Sequence, residues 1–118
     1  MSTAAVKGQN ITIQDAQTTG NGTALAIPPG IKRHTFYIRG NGAIGAGAIQ
    51  LETASDPDYT GTWAALVNDL ATATTNPVTV VGSAEVIYRI DGAFTALRAR
   101  ISTTITTTTV TVIYRGED

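Results

Sequence analysis

Along this chain apolar residues recur at every second position in short stretches, each bounded by Gly, Pro, Asn or Asp. Successive side chains of a strand point to opposite faces, so this rhythm marks half-buried strands. The clearest is 33–39, with His34, Phe36 and Ile38 on one face and Arg33, Thr35, Tyr37 and Arg39 on the other. In 48–53, Ile49 and Leu51 oppose Gln50 and Glu52, and in 62–67, Ala64 and Leu66 oppose Trp63 and Ala65. Val86, Tyr88 and Ile90 share a face of 84–90. Leu97, Ala99 and Ile101 oppose Arg98, Arg100 and Ser102, and Val110, Val112 and Tyr114 oppose Thr111, Ile113 and Arg115. Weaker strands are expected at 11–15, 23–27 and 78–81.

The connections are short. Pro28-Pro29-Gly30 and Asp91-Gly92 are turn sequences, and the Gly- and Ala-rich 42–47 reads as a hairpin loop. Residues 103–108 read as an exposed, Thr-rich hairpin with Ile105 at its tip. Eight or nine short strands without room for crossover helices predict an all-β fold, an antiparallel β-sandwich or jelly roll. One domain is expected over 11–118. Residues 1–10 are polar and unpatterned, which predicts a flexible arm, ordered on a partner or frayed.

Composition narrows the function. The chain has 118 residues, 42% of them hydrophobic, enough for one core. Only 14% are charged, and Thr, at 21 positions, supplies an uncharged polar surface that also suits strands. The net charge of −1 gives no basic stripe of the kind nucleic-acid binders use, so neither nucleic acid nor membrane is an expected partner. There is no cysteine, so disulfides and thiolate chemistry are excluded, and synthesis in the cytoplasm is expected. Residues 1–8 carry no apolar core of a signal peptide, and no apolar run approaches the roughly 20 residues of a membrane span.

Candidate chemistry is sparse. His34 is the single histidine and sits on the inward face of its strand, a packed position rather than a base held by a third group. One histidine without cysteine leaves no zinc site, and no cofactor is expected. Asp56 and Asp58 flank Pro57 as in a polar turn, where Asp side chains bond nearby amides. With Glu52 they would supply only part of a calcium shell, and Asp69 and Asp91 stand apart. The run from Gly40 to Gly45 fits G-x-G-x-x-G in spacing but lacks the following helix. Trp63, the single Trp, suits core or subunit contact, or a sugar-stacking platform. The six arginines, including Arg98 and Arg100 on one face, serve either an interface or the protection of exposed strands from aggregation. No enzyme activity is expected.

The order of elements carries a resemblance. Ala24-Leu25-Ala26-Ile27-Pro28 precedes His34-Thr35-Phe36-Tyr37-Ile38, then Ile49-Gln50-Leu51-Glu52 and Gly61-Thr62-Trp63-Ala64-Ala65-Leu66. Ile90-Asp91-Gly92, Leu97-Arg98-Ala99-Arg100-Ile101 and Val110-Thr111-Val112 follow. Over about residues 11–115 this resembles the small β-sandwich structural proteins of tailed bacteriophages. The resemblance implies a virion protein on the capsid surface: a decoration (cement) protein that binds the major capsid protein and stabilises the head. A carbohydrate- or receptor-binding module of a tail or fibre is the alternative. A homo-oligomer, dimer or trimer, is expected to suit a symmetric lattice. The expected contacts are Thr3, Val6, Lys7, Gln9 and Asn10 in the arm, Thr104, Ile105 and Thr106 at the Thr-rich tip, and Trp63, Arg98 and Arg100.

Overall fold

The computed structural model describes residues 3–67 and 76–118. Among them there is no helix, and ten strands form two sheets. They are β1 (Thr3–Ala4), β2 (Asn10–Gln17), β3 (Leu25–Ala26), β4 (Arg33–Gly40) and β5 (Ala48–Ala54), followed by β6 (Ala64–Ala65), β7 (Val78–Thr79), β8 (Val86–Asp91), β9 (Ala96–Thr103) and β10 (Val110–Glu117). The four-stranded sheet runs β2-β10-β4-β8; the six-stranded sheet runs β1-β3-β9-β5-β6, with β7 also on β5. From β2 onward the chain switches sheet at most connections, while β5, β6 and β7 stay together in the six-stranded sheet. The expected sandwich is therefore present, and every expected strand is found, several of them shorter. One pairing departs from the antiparallel expectation: β1 lies parallel to β3.

The alternation works as expected in the long strands. Phe36, Ile38, Tyr88, Val110, Val112 and Tyr114 from the four-stranded sheet face Leu25, Ile49, Leu51, Leu97 and Ala99 from the six-stranded sheet, all fully buried. Phe36 meets Tyr114 and Tyr88 edge-on, with ring centroids 5.4 and 6.4 Å apart, the geometry their quadrupoles favour. Two polar side chains complete the backbone bonding where strands stop. Gln14 is buried by a register shift in β2 and donates to Ala99 O at 2.8 Å, tying one sheet to the other. The Asn76 amide bonds both the N–H and the C=O of Leu51, filling the edge of β5 beside β6.

Residues 3–10, expected as an arm, are laid on the domain. Ala5 is buried and its N–H donates to Ala26 O at 2.8 Å, and Gly8 N–H donates to Gly116 O at 2.8 Å. Pairing with β3 satisfies backbone groups that a free arm would leave to water.

Apart from the β6–β7 connection, the connections between the longer strands gather at the two ends of the sandwich. One end carries residues 5–9, 27–32, 55–63 and 92–95, with the charged Lys7, Lys32, Asp56 and Asp58. The opposite end carries residues 18–23, 41–47, 80–85 and 104–109, where the exposed Glu85, next to β8, is the one ionic side chain.

Candidate interaction surface

The residues singled out in the sequence fall in three places. Thr3, Val6, Lys7, Gln9 and Asn10 lie at the charged end. There Val6 and Lys7 line an open groove with Pro28, Pro29 and Ile31, and Lys7 Nζ pairs with Asp118 at 3.1 Å. Trp63, Arg98 and Arg100 come together on the outer face of the six-stranded sheet. Thr104, Ile105 and Thr106 belong to the opposite, nearly uncharged end.

The outer face of the six-stranded sheet is organised by Glu52. It lies opposite Arg98 in the β5–β9 register and is 2% exposed. Arg98 Nε donates to Oε1 at 2.8 Å, Arg100 Nε to Oε2 at 2.9 Å, and Gln50 Nε2 to Oε2 at 2.7 Å. Burial pushes the Glu52 carboxyl up, but the bonds from Arg100, Arg98 and Gln50 outweigh it and hold the group below its ordinary range. The Arg98 guanidinium also lies 4.4 Å from the centre of the Trp63 ring, a cation–π contact. Trp63 is 3% exposed, and its Nε1–H donates to Tyr59 O at 2.9 Å. It therefore closes the 55–63 loop onto the sheet and presents no open ring face as a sugar platform. Glu52, committed to the arginines, is not part of a cation shell with Asp56 and Asp58. Asp58 N–H donates to Asp56 Oδ1 at 2.8 Å, which is turn chemistry. Asp69 lies outside the described residues. Among the described residues no three His, Asp or Glu side chains converge on a metal position.

His34 is 1% exposed at the charged end of the core. A carbonyl only accepts, so Nε2 carries the proton and donates to Gly92 O at 2.9 Å. Nδ1 then accepts from the Tyr114 hydroxyl at 2.7 Å. Burial lowers the His34 pKa from its ordinary 6.5, only partly opposed by the Gly92 bond and the charge of Asp91. Burial pushes the Tyr114 phenol up, so it stays a donor. Phe94 meets the ring edge-on, with centroids 5.3 Å apart. These contacts anchor the β8–β9 turn, and the ring lies inside the core rather than in an open cleft.

The end opposite the charged loops is built almost wholly from uncharged side chains, Glu85 excepted. Its loops are hydrogen-bonded to one another. Ile105 N–H donates to Thr18 O at 3.0 Å, Gly45 N–H to Thr106 O at 3.2 Å, and Thr106 N–H to Ala46 O at 2.9 Å. Ile44 and Gly82 exchange bonds of 3.0 and 2.8 Å, and Val80 N–H donates to Gly47 O at 3.1 Å. Asn41 Nδ2 reaches both Thr109 Oγ1 and Thr111 Oγ1 at 2.9 Å.

Ile105 corrects the expectation of an exposed tip, because it is 2% exposed. The loop folds inward so that Ile105 joins the buried core, and an isoleucine gains from leaving water. Gly47 makes room: a Cβ there would stand 2.3 Å from Ile105 Cδ1. What faces solvent is Thr19, Asn21, Gly42, Ala43, Thr104, Thr106 and the exposed Val81. Thr107 has φ of +80°, a conformation that is costly for a β-branched residue and held here by bonds on either side. Comparisons of the chain with protein-family models, with curated proteins and with solved structures find no match.

Proposed function

We propose that this chain is a non-enzymatic structural protein of a tailed-phage particle, a capsid decoration protein that docks on the major capsid protein through its nearly uncharged loop end. The observation that carries the reading is that end itself: four loops, bonded to one another, with Glu85 at the margin as their one ionic side chain. Association strips water from both surfaces, and a surface with a single ionic side chain at its margin has little charge to desolvate. Loops already ordered lose little further freedom on binding. Each contact is modest, but a lattice presents many copies, so the shell is bound by the sum of them. The resemblance of residues 11–115 to small phage β-sandwich proteins supplies the partner.

The test is binding of purified protein to particles that lack it. Asn21 and Ala43 are exposed, so Asn21→Asp and Ala43→Asp place carboxylates at the loop end without disturbing the core. The expected result is saturable binding by the wild type, and binding weakened at least tenfold in the doubly substituted protein, whose melting temperature is unchanged. Wild-type protein that fails to bind, or full binding by the charged variant, overturns the proposal.

A further inference from the structure

The outer face of the four-stranded sheet is built differently from the loop end. Cross-strand register places Ile113 beside Tyr37 and Tyr37 beside Ile87, so an apolar row crosses three strands. Ile87 is 46% exposed, and Tyr37 and Ile113 are half-buried. Ionic side chains flank the row. Towards the charged end, Arg115, Thr35 and Arg89 form the next row, then Glu117, Arg33 and Asp91. Towards the loop end lie Thr111 and Arg39, and Glu85, one residue ahead of β8, continues the outward alternation and is exposed. Arg115 pairs with Glu117 at 2.7 Å, but Arg33, Arg39 and Arg89 make no ion pair among the described residues. An apolar centre rimmed with Tyr and Arg is the composition of a protein interface rather than of a solvated sheet.

We infer that this face joins two copies of the chain about a two-fold axis, with Tyr37 at its centre and Arg89 of each copy against Glu85 of the other. The charges decide the occupant. An axis in the plane of contact, running across the strands over the Tyr37 row, lays each strand antiparallel on its own copy. Ile87, Tyr37 and Ile113 then meet their counterparts. Arg89 and Glu85 stand two residues to either side of Ile87, so each Arg89 meets Glu85 of the second copy, twice over. The same operation sets Arg39 over Thr35 and Arg115 over Thr111, so no two like charges are opposed. Stacked sheets rotate by about 30° on one another, which displaces β8 from its counterpart by about 4 Å, within the reach of an arginine. With Arg89 and Glu85 on opposite sides of one row, the β8 edge of this face is complementary to itself, where a uniformly acidic partner would leave Glu85 and Asp91 opposed. This association is independent of what the loop end binds.

Sedimentation velocity over a micromolar to millimolar concentration series tests it, with melting curves to confirm that each variant is folded. The wild type should form dimers at the upper end. Arg89→Glu should raise the dimer dissociation constant at least about tenfold by setting carboxylate against carboxylate. Glu85→Arg should do the same, and the exchanged protein, Glu85→Arg with Arg89→Glu, should return to within about threefold of the wild type. Tyr37→Asp should abolish association. A wild type that is monomeric throughout overturns the inference. So does a dimer that is indifferent to Arg89→Glu and Tyr37→Asp, which joins through another face, and so does failure of the exchange to restore association in a folded protein.

Discussion

Replacing Glu52 by Gln removes one charge while keeping shape, and the structure sets the cost. The carboxylate accepts from Arg98, Arg100 and Gln50 at 2.7 to 2.9 Å. A Gln oxygen at the Oε1 position still accepts from Arg98, but its NH2 then points donor-to-donor at both Arg100 Nε and Gln50 Nε2. Arg98, with a side chain 13% exposed, loses its counter-ion where water replaces it poorly, which costs about 1–3 kcal/mol. Arg100, 34% exposed, turns to solvent, so its loss is about 0–1 kcal/mol. The sum, roughly 1–4 kcal/mol, falls short of the 3–5 kcal/mol of a fully buried pair because one partner is partly wet. In a domain of this size that lowers Tm by roughly 4–16 °C.

Urea titration and calorimetry at neutral pH measure the effect. The acid limb adds a second reading. The Glu52 pKa lies below its ordinary 4.5 in the fold, so the unfolded chain takes up the proton first as pH falls. The stability from this group is fully present above about pH 4.5 and is lost below it, and Glu52→Gln removes that loss. A variant within about 0.5 kcal/mol of the wild type, with an unchanged acid limb, refutes the view that Glu52 clamps the two arginines and, through Arg98, the Trp63 loop.

Three further outcomes follow from the structure. The His34 pKa is depressed below 6.5 in the fold, so stability is full above that pH and falls as pH drops through 6.5 toward the folded value, with a limiting slope of about 1.4 kcal/mol per unit; urea midpoints between pH 8 and pH 5.5 should show this fall, flattened in His34→Gln. Ile105→Ala leaves a cavity under the loop end and should cost about 2–4 kcal/mol in chemical denaturation, whereas an exposed tip would lose almost nothing. Gly22→Ala should cost at least about 2 kcal/mol, because φ is +72° and a Cβ would stand 2.6 Å from Ile13 O, a backbone atom that does not step aside; a melting temperature within a degree or two of the wild type refutes that crowding.

How far the chain can be read from its residues depends on the range of the interaction. The period-2 rhythm located the long strands because each alternation is local, and Phe36, Tyr88 and Tyr114 lie on the faces it assigned. The two-residue strands β6 and β7 were drawn too long, since only pairing with β5 decides where they stop. Ile105 reads as a tip because its neighbours are threonines, and nothing nearby reveals that Gly47, far along the chain, leaves the space its side chain fills. Glu52 was placed outward, opposite Leu51, which is correct for the sheet. Its burial comes from Arg98 and Arg100 across the ladder and from the Trp63 loop, and cross-strand register is not written in either segment alone. The bonds that turn residues 3–10 from an arm into part of the sheet are backbone bonds, to which side-chain pattern is blind. That the four loops hold a single ionic residue, Glu85, is legible piece by piece, but only the topology gathers them at one end.

The position of β10 has a consequence for how the molecule is made. This strand is the centre of its sheet, bonded on one side to β2 and on the other to β4. Arg115 reaches Asn10 across 105 positions of chain. Until residues 110–117 have left the ribosome, β2 and β4 have no strand between them and their inner faces lack a seat. The four-stranded half of the core therefore closes only once β10 is available, by a search over long loops that places such topologies among slow folders, at milliseconds to seconds. Until then the unpaired edges and apolar faces of β2 and β4 are exposed to other chains, so yield in the cell should respond to growth temperature and chaperone supply more than the stability of the finished protein implies.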